Sequence, residues 1–311
     1  MTHSVKIDVL DQLSESDAQE VRAVLEAATA ADRVAPVSEH VLLTFGSAAP
    51  AGRHLLVRDN SGAVVGYAYA ERSPESVGSR AVVDGEAVIA PGHRRQGLGR
   101  ALLAKMVDDG ELARVWSHGD HPGARALGAR LGFRLVRELQ QLRRPLEGVA
   151  PGDLPQPVVP DGVTLRTFRP GADDAEWLRV NAKAFSWHPE QGRMTQADLD
   201  ARKAESWFDP AGFFVAEADG RMIGFHWTKV HPDGAGEVYA VGVDPDRHGG
   251  GLGTALTLAG LRHLAGLGLD TVLLYVEADN APALKVYHRL GFERFAVDVV
   301  HEGPYSDAAA I

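Results

Sequence analysis

The 311-residue chain reads as an α/β protein built from two tandem domains, each a mixed central β-sheet flanked by helices. Three observations carry this reading. Glu237-Val-Tyr-Ala-Val-Gly-Val243 is an apolar strand that runs through a glycine-dense turn into an apolar helix. Gly85-Glu-Ala-Val-Ile89 and the residues after it repeat the same order of Glu, apolar strand, Pro, basic loop, Gly-Leu-Gly and helix. Arg130-Leu-Gly-Phe133 is answered by Arg289-Leu-Gly-Phe292, so the repeat is domain-sized and not a solenoid period. The expected domains are 1–143 and 162–311, joined by a stiff linker at 144–161 that carries Pro145, Pro151, Pro155, Pro157 and Pro160.

In the first half, Ser14 caps a helix from Glu15 to Ala31 with Val21, Val24, Leu25 and Ala28 on one face. A loop at 34–40 leads into a short helix. His54–Val57 and Val64–Tyr69 flank Asp59-Asn-Ser-Gly62, the chemistry of a hairpin. The strand 86–89, a helix 98–107, a strand 112–117 and a helix 124–131 follow, and a last strand from Phe133 to Leu142 is expected to close the half. The second half repeats this with a strand at 163–168 and helices at 175–185 and 196–207. A hairpin of 213–218 and 222–230 turns at Asp219-Gly220. After the glycine turn come a helix 252–264, a strand 272–276, a helix 281–290 and a strand 292–300.

Composition narrows the function. No cysteine is present, which excludes disulfides, thiolate nucleophiles and Cys-ligated zinc. A formal charge of −10 argues against nucleic acid, whose phosphates demand a basic face. No apolar run is long enough for a membrane span, and the N-terminus lacks a signal-peptide core, so a cytoplasmic protein is expected; a monomer is the expectation for its assembly, which these features do not decide. His118-Gly-Asp-His121 is not read as a metal pair, since no third ligand stands near it in sequence; no metal is expected.

The glycine turns are built to hold phosphate. Glycines let successive backbone N–H groups converge on an anion, and the N-terminus of the next helix reinforces them. The second turn is not a P-loop, because Gly253 is followed by Thr254-Ala255 and not Lys-Ser/Thr; a dinucleotide fingerprint fails there at Thr254 or Leu256.

Arg94-Arg95-Gln96-Gly97-Leu98-Gly99-Arg100 after an apolar strand, with a later helix ending in Leu-Gly-Phe, resembles the GNAT acyl-CoA N-acyltransferases. In the second half the loop is His248-Gly249-Gly250-Gly251-Leu252-Gly253-Thr254, with His248 where that family carries Arg or Gln. Longer stretches are similar to one two-domain GNAT family, the mycothiol synthases of actinobacteria. They include Asn181-x-x-Ala-Phe185, His188-Pro-Glu-Gln-Gly192, Gly224-Phe-His-Trp-Thr-Lys-Val-His-Pro232 and Leu274-Tyr-Val-Glu-x-Asp-Asn280. The resemblance implies transfer of acetyl from acetyl-CoA to the cysteinyl amine of Cys-GlcN-inositol, with a catalytic second domain and a first domain that binds acetyl-CoA without turning it over.

It further implies roles for particular residues. Ala87-Val88-Ile89 and Val241-Gly242-Val243 would meet the pantetheine and thioester, the two glycine loops the pyrophosphate, and Asn280-Ala281-Pro282-Ala283-Leu284-Lys285 a second stretch of CoA. Glu39, Glu190, Lys229, Glu237 and Tyr275 would bind the acceptor; Glu39 lies in the first half, so an acceptor site formed by both halves is expected. Thioester aminolysis needs a free amine and, later, a proton for the leaving thiolate, hence two poised groups. Glu237 at the strand mouth is the candidate base and Tyr287 the candidate acid. Counted back from Leu-Gly-Phe, Tyr287 falls opposite Gly128, which has nothing to donate. Two readings stay open beside this one: a tandem GNAT enzyme acting on another amine, and a non-catalytic acyl-CoA sensor.

Overall fold

The computed structural model describes residues 6–46, 52–107, 111–186, 191–247 and 249–304. His248, Glu190 and most of the motif at 188–192 therefore lie outside the described residues. By packing, the chain divides into a first unit of 1–139 with 296–311 and a second unit of 140–295.

The first unit begins with β1 (Lys6–Leu10), which sequence reasoning missed because it is five residues long with weak alternation. It pairs antiparallel with β2 (Gly52–Arg58), which pairs with β3 (Val64–Val77), which pairs with β4 (Arg80–Ile89). The β2–β3 turn is an Asx turn: the Asp59 carboxylate accepts from the N–H groups of Ser61 and Ala63 at 2.8 and 3.1 Å. β3 and β4 form a longer ribbon than the apolar pattern predicts. Its outer half, around Arg72 to Ser76, is polar and carries a register shift at Pro74, where a missing donor is tolerated. β4 then runs parallel to β5 (Leu112–His118).

Helices cover both faces. α1 (Glu15–Asp32) starts at Ser14, whose hydroxyl accepts the Asp17 N–H, and buries the expected Val21, Val24, Leu25 and Ala28 against Leu56, Tyr67 and Val88. α2 (Glu39–Leu43) is capped by Ser38. On the opposite face, α3 (Leu98–Met106) buries Leu102, Leu103 and Met106 against Leu55, Ala68 and Val83. α4 (Pro122–Arg130) ends at the Leu-Gly-Phe turn.

The expectation that the strand after Phe133 closes its own half is corrected. That strand, β6 (Arg134–Pro145), passes into the second unit, and the first sheet is completed by β12 (Glu293–Pro304), paired antiparallel with β5 from Asp298–His118 to Pro304–Leu112. Specific polar bonds fix this register. Asp298 accepts from the Gly119 N–H at 3.0 Å, and Arg114 Nε donates to Glu302 at 2.8 Å, while Val299 and Val300 are buried. The strand order is β1-β2-β3-β4-β5-β12.

The second unit repeats the plan. β7 (Val163–Thr167), β8 (Phe213–Ala218), β9 (Arg221–Val230) and β10 (Gly236–Val243) pair antiparallel in turn. β10 then pairs parallel with β11 (Thr271–Glu277), and β6 lies beyond β11. α5 (Asp174–Ala184) packs Trp177 and Val180 on Phe213, Phe225 and Trp227. α6 (Gln196–Lys203) is shorter than its pattern; Trp207 and Phe208 leave the helix to pack against Trp227. α7 (Leu252–Gly266) carries Leu258, Leu261 and Leu264 into a cluster with Val238, Leu274 and Val276, onto which α8 (Ala281–Arg289) also packs. The Pro-rich segment is no free tether. Leu146 and Leu154 are buried in that cluster, and the Leu154 carbonyl accepts from Arg262 at 2.6 Å. Among the described residues no helix is long and apolar enough to cross a membrane.

Candidate active site

In both units the parallel pairing stops at a glutamate. β4 and β5 pair from Val82–Leu112 to Glu86–Trp116, and β10 and β11 pair at Gly236–Val272 and Glu237–Leu273. Beyond that point Ala87-Val88-Ile89 and Val241-Gly242-Val243 keep their ladders only to the antiparallel neighbours β3 and β9. The other edge of Ala87-Val88-Ile89 and of Val241-Gly242 therefore offers N–H and C=O groups to a ligand, as strand groups must be satisfied somewhere. A β-bulge between Val238 and Ala240 adds to this in the second unit, re-aiming Tyr239.

Each free edge leads to a helix N-terminus. Gly97 and Gly251 cap α3 and α7 with φ of 84° and 80°, and neither helix has a side-chain cap, so first-turn N–H groups stay available. In the first unit a cavity of about 660 Å³ is lined by Ala87, Val88, Ile89, Arg94, Arg95, Gly97, Leu98, Gly99 and Arg100, with β5 and α4 as its other walls. The structure thus brings the expected donor-binding residues of this half together, Gln96 standing just outside. Arg94 is not a free cation: it forms a bidentate pair with Asp32 at 2.6 and 2.8 Å and donates to the Ile89 carbonyl at 3.1 Å. In the second unit Gly249 and Gly250 have φ of 110° and 60°, conformations that favour glycine and turn the backbone toward the start of α7. Asn280 is spent as the cap of α8, its side chain accepting the Ala283 N–H at 3.2 Å; Lys285 is exposed on that helix.

The two glutamates differ in their surroundings. Glu86 accepts from the Ser38 N–H at 2.6 Å and the Ser38 hydroxyl at 2.7 Å, and His118 Nε2 lies 3.3 Å away. His118 Nδ1 is in turn 3.3 Å from Asp298. Burial alone would push His118 down, yet Asp298 and Glu86 hold it up at about 9, so it is an imidazolium at neutral pH. Burial likewise pushes Glu86 up, and His118 with Ser38 more than offsets this, leaving its pKa lowered. Glu237, by contrast, has one partner among the described residues, His231, whose Nε2 lies 2.6 Å from Oε2.

Tyr287 sits on α8, half-buried, its ring edge-on to Phe292 at 5.8 Å, with no hydrogen-bond partner for its hydroxyl among the described residues. Burial pushes it up to about 12, so it carries its proton at neutral pH. At the equivalent place in the first unit, Gly128 leaves room that His301 of β12 fills: a Cβ on Gly128 would lie 3.2 Å from the His301 ring. Lys229, cross-strand from Glu237, directs its ammonium over the rings of Trp207 and Tyr239 at 4.9 and 5.8 Å. Tyr275 is exposed on β11 and accepts from Gln141 at 2.8 Å. Glu39 is exposed at the start of α2, within the first unit. Sequence reasoning missed His231 as the partner of Glu237, and Trp207 and Tyr239 as the rings under Lys229. Its His226, prominent in the quoted motif, is a core residue that donates to the Leu256 carbonyl at 2.8 Å.

Comparison with known proteins decides the family. The Acetyltransferase (GNAT) family matches residues 21–133 and 177–292. The mycothiol acetyltransferase of Thermomonospora curvata is 53% identical over 94% of this chain and 96% of its own length. The chain belongs to the mycothiol acetyltransferase family. The proteins of that name from Streptomyces coelicolor and Nocardia farcinica are 51% and 52% identical over 95% and 93% of the chain, and 94% and 95% of their own. Solved structures bear out the fold. A GCN5-related N-acetyltransferase from Sphaerobacter thermophilus superposes with a TM-score of 0.73 at 22% identity, covering 98% of both chains. A tandem GNAT protein from the clavulanic acid biosynthesis pathway gives 0.66 at 19% identity over 97% of this chain and 99% of that one. The chain is an N-acetyltransferase of the tandem GNAT class, as its motifs predict.

Proposed function

We propose that the second unit transfers acetyl from acetyl-CoA to the cysteinyl amine of Cys-GlcN-inositol, giving mycothiol and CoA, and that the first unit binds acetyl-CoA without turning it over. The observation that carries this division is the state of the two glutamates: Glu86 is engaged by Ser38 and an imidazolium, whereas Glu237 keeps an oxygen free of partners among the described residues.

In this reading the acceptor amine, an α-amine with a reference pKa of about 7.7 to 8.0, gives up its proton to Glu237 directly or through water. The free amine attacks the thioester carbonyl, whose oxygen is met by backbone N–H of the strand segment Val241-Gly242. As the C–S bond breaks, Tyr287 donates to the sulfur. Full transfer from a phenol near 12 runs uphill to a thiol of reference pKa about 8.5, so the hydroxyl acts first as a hydrogen-bond donor to growing negative charge. Lys229, Tyr275 and Glu190 are assigned to the acceptor, with Trp207 and Tyr239 holding the Lys229 ammonium where it can donate to hydroxyl or carbonyl oxygens. Small molecules are the only partners this chemistry requires, which fits a cytoplasmic monomer.

The test is recombinant protein with acetyl-CoA and Cys-GlcN-inositol. Because the acceptor carries its own thiol, N-acetylated product is followed by mass and not by thiol release. Formation of mycothiol, with simple amines unreacted, is the expected result; turnover of other amines at equal rate would favour a broader enzyme.

A further inference from the structure

Two carboxylates near the second-unit sheet, Asp173 and Asp244, are ringed by cations and are poor bases. Against the upward push of burial, Arg166 and Arg169 hold Asp173 at about 2, and Arg179 and Lys183 keep Asp244 low. Glu237 is treated differently. Its cross-strand neighbour is a lysine, but that ammonium lies over aromatic rings, and the group hydrogen-bonded to the carboxylate is a histidine. A carboxylate only accepts, so His231 Nε2 carries the hydrogen. An imidazole N–H holds the carboxylate through one directed hydrogen bond, unlike the several guanidinium and ammonium groups gathered on Asp173 and Asp244.

The imidazole is itself delivered by a fixed turn. The His231 N–H donates to the Ala235 carbonyl at 2.8 Å, and its carbonyl accepts from Gly234 at 2.9 Å. Gly234 has a φ of 86°, and Asp233 accepts the Ala235 N–H at 3.1 Å. The turn joins β9 to β10 immediately before Glu237, and the imidazole, 29% exposed, stands on the solvent side of a carboxylate that is 10% exposed.

We propose that His231 is the positioning residue of the reaction: its Nε2–H occupies Glu237 Oε2 and so fixes the three-torsion side chain with Oε1 aimed at the acceptor amine. This rests on the reading of Glu237 as base. Nothing is transferred through the imidazole; the amine proton goes to Oε1 and the hydrogen bond to Oε2 persists. Its value lies in prepaid side-chain order, since a long carboxylate free to rotate spends little time in the reactive geometry.

The experiment compares His231→Ala, His231→Gln, Glu237→Gln and the double variant His231→Ala/Glu237→Gln, with kcat and both KM values measured and acetyl-CoA binding used to verify the fold. His231→Ala should lower kcat about 10- to 100-fold, a part of the 10² to 10⁴ that a positioned base supplies, with the KM for acetyl-CoA unchanged. His231→Gln, whose amide N–H reaches a similar place, should recover most of the loss. In the Glu237→Gln background His231→Ala should cost nothing further. Wild-type kcat in His231→Ala while Glu237→Gln is inactive would overturn the positioning role and leave the base standing. Equal loss in the Ala and Gln variants would also overturn it, since the hydrogen bond would then not be what matters. An active Glu237→Gln enzyme would remove the reading on which the proposal rests.

Discussion

Glu86 and Glu237 end the same parallel pairing in two copies of one fold, and the two units surround them differently. In the first unit the carboxylate organises structure. It accepts from Ser38 at the head of α2 and faces His118, which Asp298 ties to β12, so one buried cluster joins β4, β5, α2 and the last strand of the chain. In the second unit the carboxylate meets, among the described residues, a single imidazole, and the nearby cation is held elsewhere. The tyrosine position diverges in parallel, from Tyr287 to Gly128 packed on His301. In the proposed reading the duplicated site keeps its ligand cradle, made largely of backbone, and loses its chemistry by tying one carboxylate into the core and carrying glycine in place of the tyrosine. The cradle survives because it depends on glycine geometry and a helix N-terminus and not on those side chains.

The comparison is sharpened first at Tyr287, the proposed acid. Tyr287→Phe keeps the ring against Phe292 and deletes the hydroxyl; kcat should fall by about 10² to 10⁴ with acetyl-CoA affinity retained. Steady-state kinetics with both substrates varied will show it. Unaltered kcat would mean that another group protonates the thiolate. Next comes the acceptor side. Lys229→Ala should raise the KM for Cys-GlcN-inositol about tenfold, worth about 1.4 kcal/mol, and leave the KM for acetyl-CoA in place, because the lysine lies on β9 with Trp207 and Tyr239 and outside the donor-binding elements.

A third prediction concerns stability in the first unit. The folded-state pKa of His118 is raised from 6.5 to about 9, so the stability it contributes is fully present below about 6.5 and is lost as pH rises through 9. Thermal unfolding should therefore show a decline across that window, up to about 3 kcal/mol, which His118→Gln abolishes by lowering stability at the acid end. A flat wild-type profile between pH 6.5 and 9 would contradict the buried imidazolium. The smallest effect on catalysis is expected from Gly97→Trp, placed at the left-handed cap of α3 where a side chain is strained and faces the cavity. Calorimetry should show loss of one acetyl-CoA site, with kcat nearly unchanged.

Much of this was legible from the chain. The duplication, the cap at Ser14, the buried face of α1 and the Asp219-Gly220 hairpin follow from short-range rules, since each depends on side chains within one element or turn. The Tyr287–Gly128 asymmetry needed only the register of two Leu-Gly-Phe turns. What sequence could not supply was long-range pairing. β6 and β12 have similar patterns, and only Asp298 with His118 and Gly119, and Glu302 with Arg114, decide that β12 completes the first sheet. His231 was written in a quoted motif, yet its role depends on a hairpin that brings residues six apart to 2.6 Å. The polar β3–β4 ribbon and the short edge strand β1 were missed because neither buries an apolar face strongly enough to leave a periodic signal.

The central claim, that the chemistry lives at Glu237 and not at Glu86, is met most directly by measuring kcat against pH for Glu237→Gln and Glu86→Gln side by side. The account predicts that Glu237→Gln loses about 10² to 10⁴ at neutral pH and regains part of it as pH rises and the acceptor amine frees itself, while Glu86→Gln keeps its kcat and loses only stability. The reverse pattern, a catalytically dead but folded Glu86→Gln beside an active Glu237→Gln, would move the active site to the first unit and contradict the account.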